Sequence, residues 1–204
     1  MTHVEVFRQA GRFAGWPANY GIWSWDDEIV LGFTLGYFKN VGLSNKSHAC
    51  DSSRPFIAMQ ARSLDGGETW ETVPMPCKVP GDGGLSSDEH VEAHLQIAQA
   101  LQRNPLRSGT LKSLNFSHPA FAILCGRSGL SAGAQSWFYG SFDRCRSWEG
   151  PFGLPSFGTL GVAARTDCLV VGPSECLLFL TGTQETGDEG RPFCARTLDG
   201  GQTF

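Results

Sequence analysis

The sequence lacks any apolar stretch of about 18 residues, and its opening residues contain no apolar core of the kind found in secretory leaders. It also lacks clusters of Lys or Arg, and its formal net charge is -4. Such a charge pattern attracts neither a nucleic-acid backbone nor an anionic lipid surface. We therefore expect no nucleic-acid partner, no membrane association and a cytoplasmic location, or a secreted or periplasmic one if a leader precedes the sequence as written.

The seven cysteines are odd in number and form no CxxC pair, so they indicate neither a zinc ribbon nor a complete disulfide framework. Most are expected to be small buried apolar groups. His90 and His94 flank Glu92, but the order HVEAH differs from the HExxH pattern of zinc peptidases, and a solvated helix face explains the pair equally well. We predict neither a metal site nor a cofactor.

Charged residues are scarce, at 18% of the chain, whereas turn-forming and aromatic residues are plentiful, with 26 Gly, 11 Pro, 14 Phe and 6 Trp. This mixture is typical of many short strands joined by tight turns. The hydrophobic fraction of 41% is sufficient for a packed core. The composition therefore predicts a single all-β domain.

One pattern occurs three times, in ARSLDGGETW, YGSFDRCRSW and ARTLDGGQTF. Each copy has Ser or Thr two residues before an aspartate (Asp65, Asp143 or Asp199), and Ser or Thr followed by an aromatic residue after it. The carboxylate can accept hydrogen bonds from the amides just beyond it, and glycine supplies the positive φ that such a hairpin turn requires. The middle copy has RCR at 144–146 in place of the glycine-rich centre, so we expect its turn to differ.

This pattern resembles the Asp box, or BNR repeat, of the sialidase (neuraminidase) superfamily. The resemblance implies a β-propeller, in which each box lies between the third and fourth strands of a blade, on the rim away from the active site. It therefore implies structural roles for Asp65, Asp143 and Asp199. A propeller of this type has about six blades of about 40–50 residues, so the 204 residues correspond to about three blades.

The blades are delimited by the boxes and by runs of apolar residues. Blade one spans about residues 12–76, blade two about 77–157, and blade three about 158–204 without its last strand. Predicted strands are 20–25, 28–37, 55–63 and 69–73 in blade one, 121–125 and 136–142 in blade two, and 162–171, 176–183 and 192–197 in blade three.

Blade two carries an insertion that reads as a helix. It begins with a capping box at residues 86–89 and ends at Asn104 and Pro105. Between them lie apolar residues at helical spacing, namely Val91, Leu95, Ala98 and Leu101. We expect one amphipathic helix that covers a face or an edge of the propeller.

The loop after the second strand of blade one reads HACDSSRP. The resemblance places an acid/base aspartate in this region, so Asp51 is the candidate, and His48 can orient it or act itself. His118, which opens a strand of blade two, is the third candidate catalytic residue. The structural alternatives are an ordinary turn at Asp51 and a strand cap at His118.

Five further residues are candidates for substrate binding. Arg165 and Asp167 alternate on the inner strand of blade three, so they should share one face, where Arg165 can bind a carboxylate; a structural ion pair is the alternative. The first arginine of the family's carboxylate-binding triad has no counterpart in the stretch WPANY, and Arg12 lies upstream of it. In that stretch Trp16 and Tyr20 can contact a sugar ring, although such aromatics also serve as core.

The leading hypothesis is a sialidase-like glycoside hydrolase that acts on a terminal acidic sugar of a glycan. A second is a propeller polysaccharide lyase, or a hydrolase that acts on uronates, in which a histidine transfers the proton. A third is a non-catalytic propeller that binds glycans or proteins, because a fold does not determine its function. In the first two cases the partner is an oligosaccharide substrate.

Overall fold

A computed structural model describes residues 3–40, 42, 48–78, 85–97, 101, 106 and 112–204. Three antiparallel sheets account for most of the regular structure in these residues, which confirms the all-β class. None of the helices in the described ranges is long and apolar enough to cross a membrane.

Sheet 1 has the strand order β1-β3-β4-β5, with β2 also paired to β3. Its strands are β1 (Arg12–Gly15), β2 (Ile22–Trp25), β3 (Glu28–Tyr37), β4 (Ile57–Ser63) and β5 (Glu71–Pro74). In the register, Phe13 of β1 faces Gly36 and Trp23 of β2 faces Val30, so β1 and β2 cover opposite halves of one edge of β3. The short helix α1 (Pro17–Tyr20) connects β1 to β2.

Sheets 2 and 3 each contain three consecutive strands. They are β6 (Ala122–Arg127), β7 (Ser136–Ser141) and β8 (Glu149–Gly153) in sheet 2, and β9 (Val162–Val170), β10 (Cys176–Thr183) and β11 (Glu189–Thr197) in sheet 3. The buried Ser136 hydroxyl donates to the carbonyl of Val162 (2.6 Å) and accepts from the amide of Ala164 (2.9 Å). These bonds tie β9 to β7, so sheet 3 packs directly against sheet 2.

Two apolar clusters hold the sheets together. One lies between sheets 2 and 3 and includes Phe138 and Leu178. The other joins sheet 1 to sheet 2 around Tyr20, Leu124 and Trp137, all of them fully buried. Burial of a large apolar side chain contributes about 1.5–3 kcal/mol, so these clusters are the main source of stability.

The three Asp-box turns share one set of hydrogen bonds. In the first turn, Ser63 Oγ donates to Asp65 Oδ1 (2.7 Å), and the same oxygen accepts from the amide of Thr69 (2.9 Å). The corresponding amide bonds to Asp143 and Asp199 are both 2.9 Å long. Each aspartate therefore accepts the amide hydrogen bond that the sequence predicts for such a turn.

The expectation that the middle turn differs is wrong. Arg144 and Cys145 have φ values of 57° and 61°, close to the 71° and 95° of Gly66 and Gly67 in the first turn. The left-handed conformation costs a residue with a side chain about 1–2 kcal/mol. The hydrogen bonds to the Asp143 carboxylate hold this backbone without glycine.

The predicted continuous helix in the insertion is also wrong over its described first half. Residues there form two short 3₁₀ turns, Asp88–His90 and Ala93–Leu95, and Glu92 and Gln96 have extended backbone. The physical reason is a tertiary contact, since the amide of Glu92 donates to the carbonyl of Ser52 (3.0 Å) instead of to a helical partner. Residues 98–100 and 102–105, which complete the predicted helix, lie outside the described residues.

Candidate functional site

Two histidines and a tryptophan meet beside sheet 1. Trp16 Nε1 donates a hydrogen bond to His48 Nε2 at 3.3 Å. The ring of His90 stacks on Trp16, with centroids 4.5 Å apart and planes at 9°, and the two imidazole centroids are 5.1 Å apart. We call Trp16, His48 and His90 the histidine cluster. His48 is exposed and His90 partly exposed, so solvent reaches the cluster.

The backbone at Trp16 is strained in a way that positions its ring. Trp16 has φ 55° and ψ 45°, a left-handed conformation that is unfavourable for a bulky residue, and Pro17 begins α1 directly after it. Phe13 and Phe56 flank the indole, with centroids 4.8 and 5.7 Å away. Such outliers persist only where the surroundings hold them, and they concentrate at functional sites.

A buried ion pair lies behind the cluster. Arg127, whose side chain is only 1% exposed, donates from Nη2 to Glu89 Oε1 (2.8 Å) and from Nη1 to the carbonyl of Ala164 (3.2 Å). Glu89 Oε1 in turn lies 3.8 Å from His90 Nε2. In the described part of the chain, Arg127 Nε, Glu89 Oε2 and the Ser86 hydroxyl are buried without a hydrogen-bond partner. Buried polar atoms of this kind are costly, so the surrounding fold holds the Glu89–Arg127 pair in place at the expense of stability.

The protonation of the two histidines follows from their surroundings. Burial lowers the pKa of His90, the nearby carboxylate of Glu89 opposes this, and His48 and Arg127 lower it further; the net shift is downward. His90 is therefore neutral at pH 7 and able to accept a proton. Because His48 Nε2 accepts the bond from Trp16, a neutral His48 carries its proton on Nδ1.

Tyr20 and Arg12, predicted to bind substrate, have structural contacts instead. Tyr20 is fully buried and its hydroxyl lies 2.7 Å from Thr34 Oγ1, and burial raises its pKa. Arg12 Nε donates to the carbonyl of Gly36 (2.7 Å), and its guanidinium lies 4.2 Å from the centroid of the Tyr37 ring. Both residues therefore support sheet 1. Trp16, the other residue of this segment predicted to contact a sugar, belongs to the histidine cluster.

Asp51 forms a turn three residues after His48. Its carboxylate accepts hydrogen bonds from the Ser53 hydroxyl (2.8 Å) and amide (3.2 Å), and Lys39 Nζ lies 3.5 Å away. These hydrogen bonds and the lysine lower the pKa of Asp51. An ionised carboxylate suits a base, whereas a general acid requires a raised pKa.

His118 lies in a different environment. Its Nδ1 accepts a hydrogen bond from the amide of Ala120 (3.2 Å), and its ring packs edge-on against Phe142 with centroids 5.5 Å apart. Both contacts are local to sheet 2 and match the cap that was the structural alternative.

A cleft of about 650 Å³ lies between α1, β2 and β9. Pro17 and Trp23 line one side, and Thr166, Asp167 and Cys168 line the other. The pairing of β9 with β10 is irregular here, because Leu180 pairs with Ala164 but Leu178 pairs with Cys168. Three residues of β9 therefore oppose one residue of β10, and the alternation of side chains between the two faces of the sheet is interrupted. Asp167 consequently shares the cleft with Thr166, and Arg165 is not among the lining residues.

The sequence interpretation missed Glu89, His90 and Arg127 as site residues. Glu89 and His90 read as parts of a helix, and their true neighbours are distant in sequence. Arg127 left a detectable signal, because a charged residue ends the otherwise apolar strand AILCGR. Charged side chains are almost never fully buried without a partner, so an arginine there indicates a buried acid.

No protein-family model and no curated protein matches this sequence. The fold is similar to a solved structure, a protein of unknown function from Dyadobacter fermentans DSM 18053, with a TM-score of 0.57 and 17% sequence identity. The alignment covers 97% of this chain and 55% of that protein, so this chain spans about half the length of its structural neighbour. At this identity the likeness concerns the fold alone.

Proposed function

We propose that this chain is part of a sialidase-type β-propeller that acts on an acidic sugar of a glycan, with His48 and His90 transferring protons. The observation that carries the proposal is the histidine cluster, backed by the buried pair of Glu89 and Arg127. Support for the propeller comes from three antiparallel sheets with equivalent Asp-box turns. The preference for an acidic sugar rests on the resemblance of those boxes to the sialidase superfamily.

Elimination from a uronate breaks the C–H bond beside the carboxylate and the C–O bond to the leaving sugar, and it forms a C=C bond. It needs one group that accepts the proton and another that donates a proton to the leaving oxygen. Neutral His90 provides the acceptor, and Glu89, held by Arg127, stabilises the imidazolium that forms. His48, which carries a proton on Nδ1 while its Nε2 accepts from Trp16, provides the donor. Hydrolysis of the same bond needs an acceptor for a water proton and the same donor.

The test measures turnover of uronate-containing and sialylated oligosaccharides by the purified protein and its His90→Gln and His48→Gln variants. We expect turnover of a uronate substrate and a loss of about 100- to 10,000-fold in kcat for each variant, the usual contribution of a positioned acid or base. Ultraviolet absorbance of the product separates elimination, which leaves a C=C bond, from hydrolysis.

The matched control is His94→Gln, because His94 is 67% exposed and contacts Glu92 outside the histidine cluster. It should retain full activity. If His90→Gln and His48→Gln turn over substrate as fast as His94→Gln does, the proposed roles are wrong. Glycan binding without turnover by the unsubstituted protein would instead favour the non-catalytic propeller.

The sialidase-like hydrolase with Asp51 as acid/base and Arg165 as carboxylate-binding residue is the second candidate. It is favoured by the placement of Asp51 on the same exposed loop as His48, and its lowered pKa suits the base step more than the acid step. Release of sialic acid that is abolished by Asp51→Asn and retained by His90→Gln would select this candidate over the first.

A further inference from the structure

The cleft between α1, β2 and β9 combines apolar walls with one charged side chain. Pro17, Ile22 and Trp23 line it, and Ile22 is 65% exposed. Of the described residues that line the cleft, Asp167 alone is charged at pH 7. Asp167 is exposed, and its carboxylate has no ion pair or hydrogen bond within the described part of the chain. The cleft therefore presents a single negative charge beside apolar surface.

Contacts between the walls fix the shape of the cleft before any ligand binds. Thr166 Oγ1 donates to the carbonyl of Asn19 in α1 (3.3 Å) and accepts from the amide of Cys125 in β6 (3.0 Å). On the other side, the indole of Trp23 packs against Trp148, with ring centroids 5.5 Å apart. A ligand in this cleft has little of the chain to order when it binds, which favours affinity.

The size and chemistry of the cleft select one class of ligand. Its volume of about 650 Å³ is typical of small-molecule sites, which occupy about 300–1,000 Å³. An unpaired carboxylate attracts a cation and repels an anion, and an indole ring attracts an ammonium group through its π electrons. A metal ion needs several oxygen or nitrogen ligands, whereas apolar walls favour a hydrocarbon skeleton. These properties indicate an organic cation.

We propose that this cleft binds a small organic ammonium ion, with the protonated amine beside Asp167 and the apolar skeleton against Trp23 and Ile22. None of the three residues of the histidine cluster lines the cleft, although Trp16 directly precedes Pro17 in the chain. The site therefore goes beyond the proposed acidic-sugar chemistry and does not depend on it. Because Asp167 is exposed, its charge should strengthen binding by about fivefold, and burial of the skeleton supplies the rest.

The experiment measures the Kd of three molecules of similar shape by ligand-observed NMR titration of the full chain. They are benzylamine, benzyl alcohol and benzoate, which are cationic, neutral and anionic at pH 7. We expect a Kd of about 1 mM for benzylamine, a reasonable value for so small a ligand, a Kd about fivefold higher for benzyl alcohol, and no binding of benzoate.

A second pair of probes identifies what carries the amine. Glucosamine and N-acetylglucosamine differ in the charge of the nitrogen, and the charged sugar should bind more tightly. A Kd of glucosamine below that of benzylamine would identify an amino sugar as the ligand. A Kd above it would identify a free arylalkyl amine, and both results agree with an ammonium site.

Three variants locate the binding. Asp167→Asn should raise the Kd of benzylamine to that of benzyl alcohol and leave the Kd of the alcohol unchanged. Asp188→Asn is the matched control, because Asp188 is an exposed aspartate that does not line the cleft, and it should bind as the unsubstituted protein does. Ala18 lines the cleft and is exposed, so Ala18→Trp should fill the cleft and abolish binding of both molecules. Thermal unfolding verifies that each variant is folded.

Any one of four results would overturn the proposal. Benzyl alcohol or benzoate could bind as tightly as benzylamine, or Asp167→Asn could keep the preference for the amine. Benzylamine could bind equally well to Ala18→Trp, or it could fail to bind the unsubstituted protein at about tenfold the expected Kd. All of these are binding measurements, so their failure is distinct from a failure of the proposed glycan turnover.

Discussion

Glu28 is a carboxylate that holds three arginines at the contact between sheet 1 and the middle Asp-box turn. Arg144 Nη1 and Arg146 Nη2 each donate to it at 2.9 Å, and Arg62 donates to the same carboxylate. Arg62 also donates to the carbonyl of Arg144 at 2.8 Å, so the cluster links β3, β4 and the turn after β7. Replacing Glu28 by Gln keeps the shape of the side chain and removes the charge that the arginines share.

The size of the effect follows from how exposed each partner is. Side-chain exposure is 8% for Glu28 and 16% for Arg62, but 40% for Arg144 and 54% for Arg146. Removing one partner of a buried ion pair costs about 3–5 kcal/mol, whereas exposed pairs contribute about 0–1 kcal/mol. With one mostly buried and two half-exposed arginines, we expect Glu28→Gln to lower the free energy of unfolding by about 3 kcal/mol. For a chain of 204 residues this corresponds to a Tm lower by about 6–12 °C.

The pH dependence provides a second measurement. Burial alone would raise the pKa of Glu28, but the hydrogen bonds and charges of Arg144, Arg146 and Arg62 outweigh it and lower the pKa. A carboxyl group with a lowered pKa contributes stability that is complete above its unfolded value of about 4.3 and is lost as pH falls through the folded value. Glu28→Gln should therefore lower the free energy of unfolding by the full amount at pH 7 and by less below about pH 4. Urea unfolding followed by tryptophan fluorescence measures this difference.

Glu175→Gln is the matched control, because Glu175 pairs with Arg196 on the surface of sheet 3, where the arginine side chain is 59% exposed. Its effect should stay below about 1 kcal/mol. A free energy of unfolding of Glu28→Gln within about 0.5 kcal/mol of that of the unsubstituted protein at pH 7 would refute this role of Glu28. A deficit of equal size at pH 7 and at pH 3 would also contradict it.

Two further predictions concern the box turns and the core. Hydrogen bonds from the threonine four residues later lower the pKa of Asp65 and of Asp199 to about 2. An NMR titration of their side-chain carboxyl carbons should therefore have midpoints near pH 2, and stability should fall as pH drops from about 4. Midpoints near the ordinary pKa of about 3.9 would contradict the hydrogen bonds of these turns. In the core, Tyr139→Phe leaves the indole N–H of Trp137 and the carbonyl of Lys78 without the hydroxyl that bonds to both. The free energy of unfolding, measured by chemical denaturation, should therefore fall by about 1–3 kcal/mol. An unchanged free energy of unfolding would contradict these contacts.

Much of the sheet structure is predictable because it depends on local pattern. The strands β3 and β10 occur where alternating apolar residues and turn signals indicate them. In contrast, β1 and β8 were not predicted. The short sequences RFAG and EGPFG have little strand propensity of their own and become strands by pairing with β3 and β7.

The candidate site is less predictable because contacts distant in sequence assemble it. Trp16, His48 and His90 come from three separate segments, and of these His90 was interpreted as part of a helix face. The pairing of Glu89 with Arg127 spans 38 residues and has no local signature. Sequence pattern can mark His48 and Trp16 as polar and aromatic residues in loops, but only the packing of β6 against the insertion brings the charged pair to them.

The middle Asp-box turn changes how such repeats should be sought in other sequences. Ser141, Asp143 and Ser147 reproduce the hydrogen bonds of the other two turns, while Arg144 and Cys145 occupy the positions of the glycines. A search that requires the glycine pair therefore overlooks turns that are structurally complete. The two positions of the glycine pair are also where one repeat can differ from the others, since side chains there can contact a neighbouring sheet without disturbing the turn.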